Sequence, residues 1–394
     1  MTTTRTPHIV VLGAGYAGML ATIRLARRTS NGRRARITLV NPSDRFTERL
    51  RTHQVAAGRE LRPHSIPALL DRTGVEFRRG AATAIDPDAR TVTVDDGTTL
   101  GYDTLIYAIG SSAGIGGVPG AGEYAATLDH PDRIAERLAT ARTVTVCGGG
   151  LTGVETAAEI AESHPDLTVT LLGRGEPGAM MSAGARAHLN RALDRLGVRR
   201  RIATVAEVLP DAVRLGTGES LASELTIWTT GVQVSPLAAR SGIATDAAGL
   251  VRTDATLRSI SHPDIHAIGD AAAVRMAWGD VHGTCQTGLP AAAYTADTVA
   301  RLLRGGKVEP FRIGYFHQAV SLGRRDAVIQ FTRADDTPRR WYLTGRAAVA
   351  YKEAVSSSPP FAFRLSRRLP VTVRLSSGGR ATRHPAAPEI GVPR

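Results

Sequence analysis

Residues 8 to 18 read His-Ile-Val-Val-Leu-Gly-Ala-Gly-Tyr-Ala-Gly, and Met-Leu-Ala-Thr-Ile-Arg-Leu-Ala follows at 19 to 26. The apolar run Ile9 to Leu12 predicts a buried strand, and the residues after Gly18 carry apolar positions at helical spacing. The pattern is strand, tight glycine turn, helix. Gly13 permits the sharp turn, Gly15 lets a pyrophosphate approach the backbone, and Gly18 lets the helix pack close to its strand. The free N–H groups opening the helix face the anion.

The same signature returns 135 positions later. Val144-Thr145-Val146-Cys147 predicts a strand, Gly148, Gly150 and Gly153 take the first, third and sixth positions, and residues 154 to 161 continue as a helix. Two such units in one chain imply two nucleotide sites. Cys147, inside the strand, reads as a small packed apolar residue.

Each unit has a second strand whose end reads a ribose. In the first it is Arg36 to Val40, ending at Asn41, which accepts through its amide oxygen where a carboxylate is usual. In the second it is Leu167 to Leu172, followed by Gly173-Arg174-Gly175. An acid at 173 would have argued for NADH. Its absence removes a repulsive charge, and Arg174 either pairs with a ribose 2′-phosphate or is a solvated surface residue.

Two further buried strands end in glycine, Tyr102 to Gly110 and Leu225 to Gly231. Ile265 to Ala272 reads as strand, then Gly269-Asp270, then a helix start, where Asp270 is placed either to accept from a ligand hydroxyl or simply to cap the helix. An alanine-rich helix is expected over 284–303. A hairpin is predicted over 320–331 and a helix over 346–355 carrying Lys352. His53 and Gln54 lie in a loop-and-helix stretch where a ring beyond the pyrophosphate would reach.

Composition narrows the class. The chain has 394 residues, too many for one ordinary core. Its net charge is +13, of which the last 35 residues supply +6 through seven arginines and a single acid. No nucleic-acid motif accompanies that charge, so an anionic cofactor or a membrane surface is the expected partner, and no nucleic acid is expected. The two cysteines, Cys147 and Cys285, form neither a disulfide framework nor a CxxC pair. No metal site is expected. The N-terminus lacks an apolar signal core, which favours a cytoplasmic location, with peripheral attachment at the inner membrane face as the alternative.

These five motifs, in this order, resemble the flavoproteins with two dinucleotide-binding domains, over about residues 8–305. Gly148-Gly149-Gly150-Leu151-Thr152-Gly153-Val154-Glu155 and the segment Leu50 with His53 to Gly58 are most similar to the single-subunit, non-pumping type II NADH dehydrogenases and their relatives. The resemblance implies an α/β fold with two Rossmann-like domains and a smaller α+β C-terminal section. FAD would lie at Gly13, Gly15 and Gly18, with Asn41 at its ribose, Gly110 near it, and Gly269-Asp270 on its ribityl-phosphate side. NAD(P)H would lie at Gly148, Gly150 and Gly153, with Glu155 near the nicotinamide. Gly231 echoes Gly110, and Cys285 and Gln286 would sit by the flavin's pyrimidine edge.

The expected domains are 1–112 with 249–308 for FAD, 113–248 for NAD(P)H, 309–360 as a C-terminal domain and 361–394 as a basic tail. The expected activity is hydride transfer from NAD(P)H to FAD, then electron transfer to a quinone or another small organic acceptor. His53, Glu155, Gln286 and Lys352 are the candidates for catalytic contacts in the second step. Departures from the family pattern leave the acceptor open: the Gln-rich segment is reduced to Cys285-Gln-Thr-Gly-Leu-Pro290, and no apolar membrane-docking helix is visible. A flavin oxidase using oxygen, or a redox-sensing binding module, would share the same fingerprints. The oligomeric state is not encoded in any motif.

Overall fold

The structure, a computed structural model, describes residues 5–31 and 33–369, together with Val371, Ser376 and Gly378. Its frame is a pair of five-stranded parallel sheets that share the order of four strands and differ in the outer fifth, which comes last along the chain in the first sheet and first in the second. In the first, Ile265–Ala267, Thr104–Tyr107, His8–Leu12, Arg36–Asn41 and Glu76–Arg79 lie side by side. In the second the neighbours are Ala125–Thr127, Leu225–Trp228, Thr143–Cys147, Thr168–Gly173 and Arg199–Ile202. Each fingerprint strand is therefore central. His8–Leu12 is buried at every position, as a strand covered on both faces must be, and this explains its unbroken apolar run.

Each fingerprint strand feeds a helix of 13 residues, Tyr16–Arg28 and Leu151–Ser163. In the first, Met19, Leu20, Ile23 and Leu25 are fully buried. Each contributes roughly 1.5–3 kcal/mol by leaving water. The alanine-rich helix Cys285–Leu302 packs against this helix, and Asp297 ties the two together through Arg24 and Arg28, each at 2.7 Å. The small residues of the later helix allow that close approach.

A small antiparallel sheet is inserted at the same point of each unit, over residues 82–101 and 205–222. The stretches leaving the two glycine-ended strands, Ser111–Ala113 and Val232–Val234, pair antiparallel with each other, so a short ribbon links the two units. The stretch after Gly110 therefore begins with a paired strand.

The last section is a three-stranded antiparallel sheet, His317–Ser321, Ala327–Thr332 and Pro338–Thr344, followed by the helix Gly345–Ser366. The helix was expected to stop near Val355, ahead of Pro359-Pro360. It continues because Phe363 is fully buried and meets Phe46 edge-on at 5.2 Å. The missing proline N–H at 359 frees the Val355 carbonyl, and the Ser358 hydroxyl donates to it at 3.2 Å. Residues 361–366 are thus helix rather than tail. Beyond Leu369 the expected tail lies outside the described residues, apart from the three positions named above. Among the described residues no helix is long and apolar enough to cross a membrane.

Candidate active site

The two glycine loops have matching geometry. A Cβ on Gly13 (φ +95°) would sit 2.3 Å from the Ala108 carbonyl oxygen, and one on Gly148 (φ +141°) would sit 2.4 Å from Thr229 Oγ1. A Cβ on Gly18 would lie 1.8 Å from the Gly13 oxygen, and one on Gly153 would lie 1.8 Å from the Gly148 oxygen. The middle glycines differ from these four. Around Gly15 and Gly150 a Cβ would meet nothing within 4 Å. The outer glycines are needed by the protein itself, whereas the middle ones border open space at a helix start. Neither helix has an acid in its first turn, so the backbone N–H groups there face no competing anion of their own. Two dinucleotides fit these cradles.

Asn41 braces the first loop. Its Oδ1 accepts the Ala14 N–H at 2.9 Å and its amide donates to the Ser43 carbonyl at 2.7 Å. Asp270 sits in the short helical turn Gly269–Ala271, where its Oδ2 accepts the Ser111 hydroxyl at 2.9 Å. Gly269 abuts Ala17 of the first fingerprint helix, and a Cβ on Gly283 would lie 2.8 Å from Asp270 Oδ1. Asp270 therefore stands where the first fingerprint helix and the start of helix Cys285–Leu302 converge. The cleft here is lined by Gly269, His282, Gly283, Thr287 and Gly288 among others.

Gln286 is bonded through both ends of its amide, with one amide N–H unspent. Its Oε1 accepts the Phe316 N–H at 2.7 Å and its amide donates to the His317 carbonyl at 3.0 Å. It pins the C-terminal section onto the helix start. Cys285 beside it is pushed up to about 11 by burial, and Cys147 up to about 12 by the same cause. Both are free thiols, and neither is a thiolate at neutral pH.

Three candidates far apart in sequence come together. Glu155 lies on the buried face of the second fingerprint helix. Its Oε1 accepts from Lys352 Nζ at 2.7 Å, from the Ser321 N–H at 2.9 Å and from the Ser321 hydroxyl at 3.1 Å. Lys352, 9% exposed, also donates to the Ala319 carbonyl at 3.1 Å. His53, 3% exposed, has Nε2 at 3.2 Å from Ser321 Oγ and Nδ1 at 4.0 Å from Glu155 Oε2.

Burial lowers the His53 imidazole to about 4, so it is neutral at physiological pH. Since the Ser321 hydroxyl donates to Glu155, the Nε2–H tautomer of His53 donates to Ser321. Burial alone would raise the Glu155 carboxyl. The Lys352 ammonium and the hydrogen bonds outweigh it and hold the group below the ordinary carboxylate range. The ion pair is Glu155 with Lys352, and His53 holds the serine that holds the glutamate.

One helical turn on, Glu159 is 2% exposed. Its Oε2 has no hydrogen-bond partner, and Arg324 Nε lies 3.7 Å from Oε1. Burial raises this carboxyl to about 7, against the opposing pull of Arg324. A raised carboxyl stabilises the fold below the unfolded value of 4.5 and loses that contribution as pH rises through about 7. Glu159→Gln is therefore expected to stabilise the protein at alkaline pH by about 3 kcal/mol and to do nothing near pH 4.5. Urea unfolding at the two pH values checks this; an equal effect at both would refute it.

Arg174 is exposed, on the loop after strand Thr168–Gly173, and is not part of the buried cluster. Ser321, Glu159 and Ser111 were not anticipated from the sequence. Their roles arise from long-range contacts that no local spacing signals. Among the described residues, no group of three or more His, Cys, Asp or Glu side chains is placed to hold a metal ion.

Paired parallel sheets, each with a glycine cradle at a helix start, define a two-dinucleotide oxidoreductase fold. Residues 7–297 match the pyridine nucleotide-disulphide oxidoreductase family, and the chain belongs to it. It is an oxidoreductase that uses FAD and NAD(P)H. An NADH dehydrogenase-like protein of Mycobacterium tuberculosis is 31% identical over 357 residues, covering 82% of this chain and 87% of the relative. A type II NADH:quinone oxidoreductase of Staphylococcus epidermidis is 26% identical over 81% of this chain and 88% of its own length. In fold, the NDH2 of Plasmodium falciparum, solved with NADH, aligns with a TM-score of 0.76 at 16% identity, covering 92% of this chain and 98% of that one. The family name refers to a disulphide, but the two cysteines of this chain are both free.

Proposed function

We propose that this chain oxidises NAD(P)H at the Gly150 loop, through FAD held at the Gly15 loop, and reduces a quinone beside the Glu155–Lys352 pair. Bound FAD supplies the ring that takes up hydride and returns electrons to the acceptor. The remaining work belongs to the protein. Gly15 and Gly150 would leave room for the two pyrophosphates, and Asp270 would accept from a cofactor hydroxyl. Lys352 spends one N–H on Glu155 and one on the Ala319 carbonyl, leaving a third for an acceptor oxygen as it gains charge. Glu155, kept ionised, holds the Lys352 amine in place, and Ser321 with His53 holds the carboxylate still.

The carrying observation is the open space at Gly15 and Gly150 in two otherwise filled loops of identical design. The quinone is supported by the names of similar proteins, among them the demethylphylloquinone reductase of Synechocystis, 28% identical over 82% of this chain. Purified protein mixed anaerobically with NADH or NADPH should lose its yellow colour and regain it with a soluble quinone. Recovery only with oxygen would favour the oxidase reading instead.

Gly150→Val separates the two cradles. The variant is expected to keep its flavin, since the Gly15 loop is untouched, and to raise the coenzyme KM by about 100-fold or more through lost phosphate hydrogen bonds. Steady-state kinetics on yellow protein measures it. A normal KM would mean that the coenzyme lies elsewhere.

A further inference from the structure

We propose that the coenzyme site is built for NADPH, with Arg174 reading the 2′-phosphate and Gly149 excluding the acid that would read a 2′-hydroxyl. This rests on the reading of the Gly150 loop as the coenzyme cradle. In such a unit the end of the second strand decides the matter: a carboxylate binds the ribose hydroxyl, and a nearby arginine accommodates the phosphate.

Here that strand, Thr168–Gly173, ends in a position with no room for a side chain. A Cβ on Gly173 would lie 2.9 Å from Gly149 Cα and 3.0 Å from Gly149 N, so both obstacles are backbone. The first unit solves the same position differently. There Asn41 stands at the strand end and its side chain reaches the loop N–H of Ala14 at 2.9 Å. In the second unit the Gly149 backbone stands against the point where a Cβ at 173 would lie. The glycine at 173 is thus imposed by the loop, and an acid cannot occupy it without displacing the cradle.

The next residue is an exposed arginine with no hydrogen bond or ion pair among the described residues. Two arginines of the adjoining strand are engaged, Arg200 with Asp194 and Arg201 with Glu219, each at 2.5 Å, and the third, Arg199, stands opposite Thr170, back from the strand end. Arg201 stands opposite Leu172, and Ile202 opposite Gly173, so no arginine of that strand faces the ribose position in register. Arg174 is the uncommitted cation at the strand end. Its guanidinium suits a phosphate dianion through paired N–H donors, which a lone ribose hydroxyl does not reward. Glu176, two residues on, is exposed and does not pair with it.

Two measurements on the yellow holoenzyme test this. In calorimetric titration, adenosine 2′,5′-bisphosphate is expected to bind about 10- to 100-fold more tightly than AMP, as charge-assisted hydrogen bonds to one phosphate allow. Arg174→Ala should bring the two toward parity. In anaerobic mixing, NADPH should bleach the flavin at lower concentration than NADH, and Arg174→Glu should reverse that order. Gly173→Asp should weaken both coenzymes rather than convert the preference. Equal binding of the two nucleotides, or an NADH preference indifferent to Arg174, overturns the proposal. If neither coenzyme bleaches the flavin, the coenzyme reading of the second loop fails first, and the two failures are distinct.

Discussion

Gly15→Val is expected to give a folded, soluble and colourless protein. A Cβ there finds nothing within 4 Å beyond its chain neighbours, so the valine side chain starts out into open space. The only thing it displaces is what occupies that space. The middle glycine lets the pyrophosphate reach the helix N–H groups, so the branched side chain should abolish retention of FAD through purification. A ligand held at a thousand times its dissociation constant stabilises by about 4 kcal/mol, so the melting temperature should fall by on the order of 10 °C. Gly18→Val is the control with the opposite character. Its Cβ would stand 1.8 Å from the Gly13 carbonyl oxygen, and helix Tyr16–Arg28 would have to leave its strand. That variant should be insoluble or unfolded, not merely colourless. Absorbance near the flavin band, set against far-ultraviolet circular dichroism, distinguishes the two outcomes. A Gly15→Val protein that purifies with its full flavin content would show that the cofactor phosphates do not pass there.

The contrast between these glycines also explains how much could be read from residues alone. Gly13, Gly15 and Gly18 act over a few residues of chain, so their spacing carries the strand–turn–helix of the first unit without any knowledge of tertiary packing. Gly148, Gly150 and Gly153 do the same. The buried cluster is legible only in its parts. Glu155 was marked by its position after the second loop, and Lys352 by its helix. Nothing local announces that Ser321 would present both a backbone N–H and a hydroxyl to that carboxylate. Gln286 has a second task that no local pattern signals. The resemblance implies a place by the flavin, and the structure adds that its amide oxygen takes the Phe316 N–H while one amide N–H goes to the His317 carbonyl, so the side chain is also a brace. Pro359-Pro360 misled for a physical reason. A local rule against proline was overruled by the burial of Phe363, which lies just beyond the two prolines.

Breaking the Glu155–Lys352 pair should have the second large effect. Lys352→Met keeps the stem of the side chain and removes the ammonium, leaving a buried carboxylate with Ser321 as its remaining close donor. Removing one partner of a buried pair costs about 3–5 kcal/mol, because the other charge is left uncompensated. Glu155→Gln strands the ammonium instead and should cost a comparable amount. The double variant should cost much less than the sum, since neither charge is then orphaned.

The pH dependence fixes the sign. In the parent protein the Glu155 carboxyl is held low, so its contribution is present above the unfolded value of 4.5 and is lost only as pH falls below it. Without Lys352, burial becomes the dominant influence and raises the carboxyl instead. Stability of Lys352→Met should then decline as pH rises above 4.5, more steeply than in the parent. Reoxidation of the reduced protein by quinone should also slow by about 100-fold, the usual worth of a positioned proton donor, while reduction by coenzyme changes far less. Urea unfolding across pH, with stopped-flow measurement of the two half-reactions, reads both. Additive single-variant costs with a parallel pH profile would mean that the two groups do not form a coupled pair, and equal slowing of both half-reactions would place Lys352 in the scaffold and not at the acceptor.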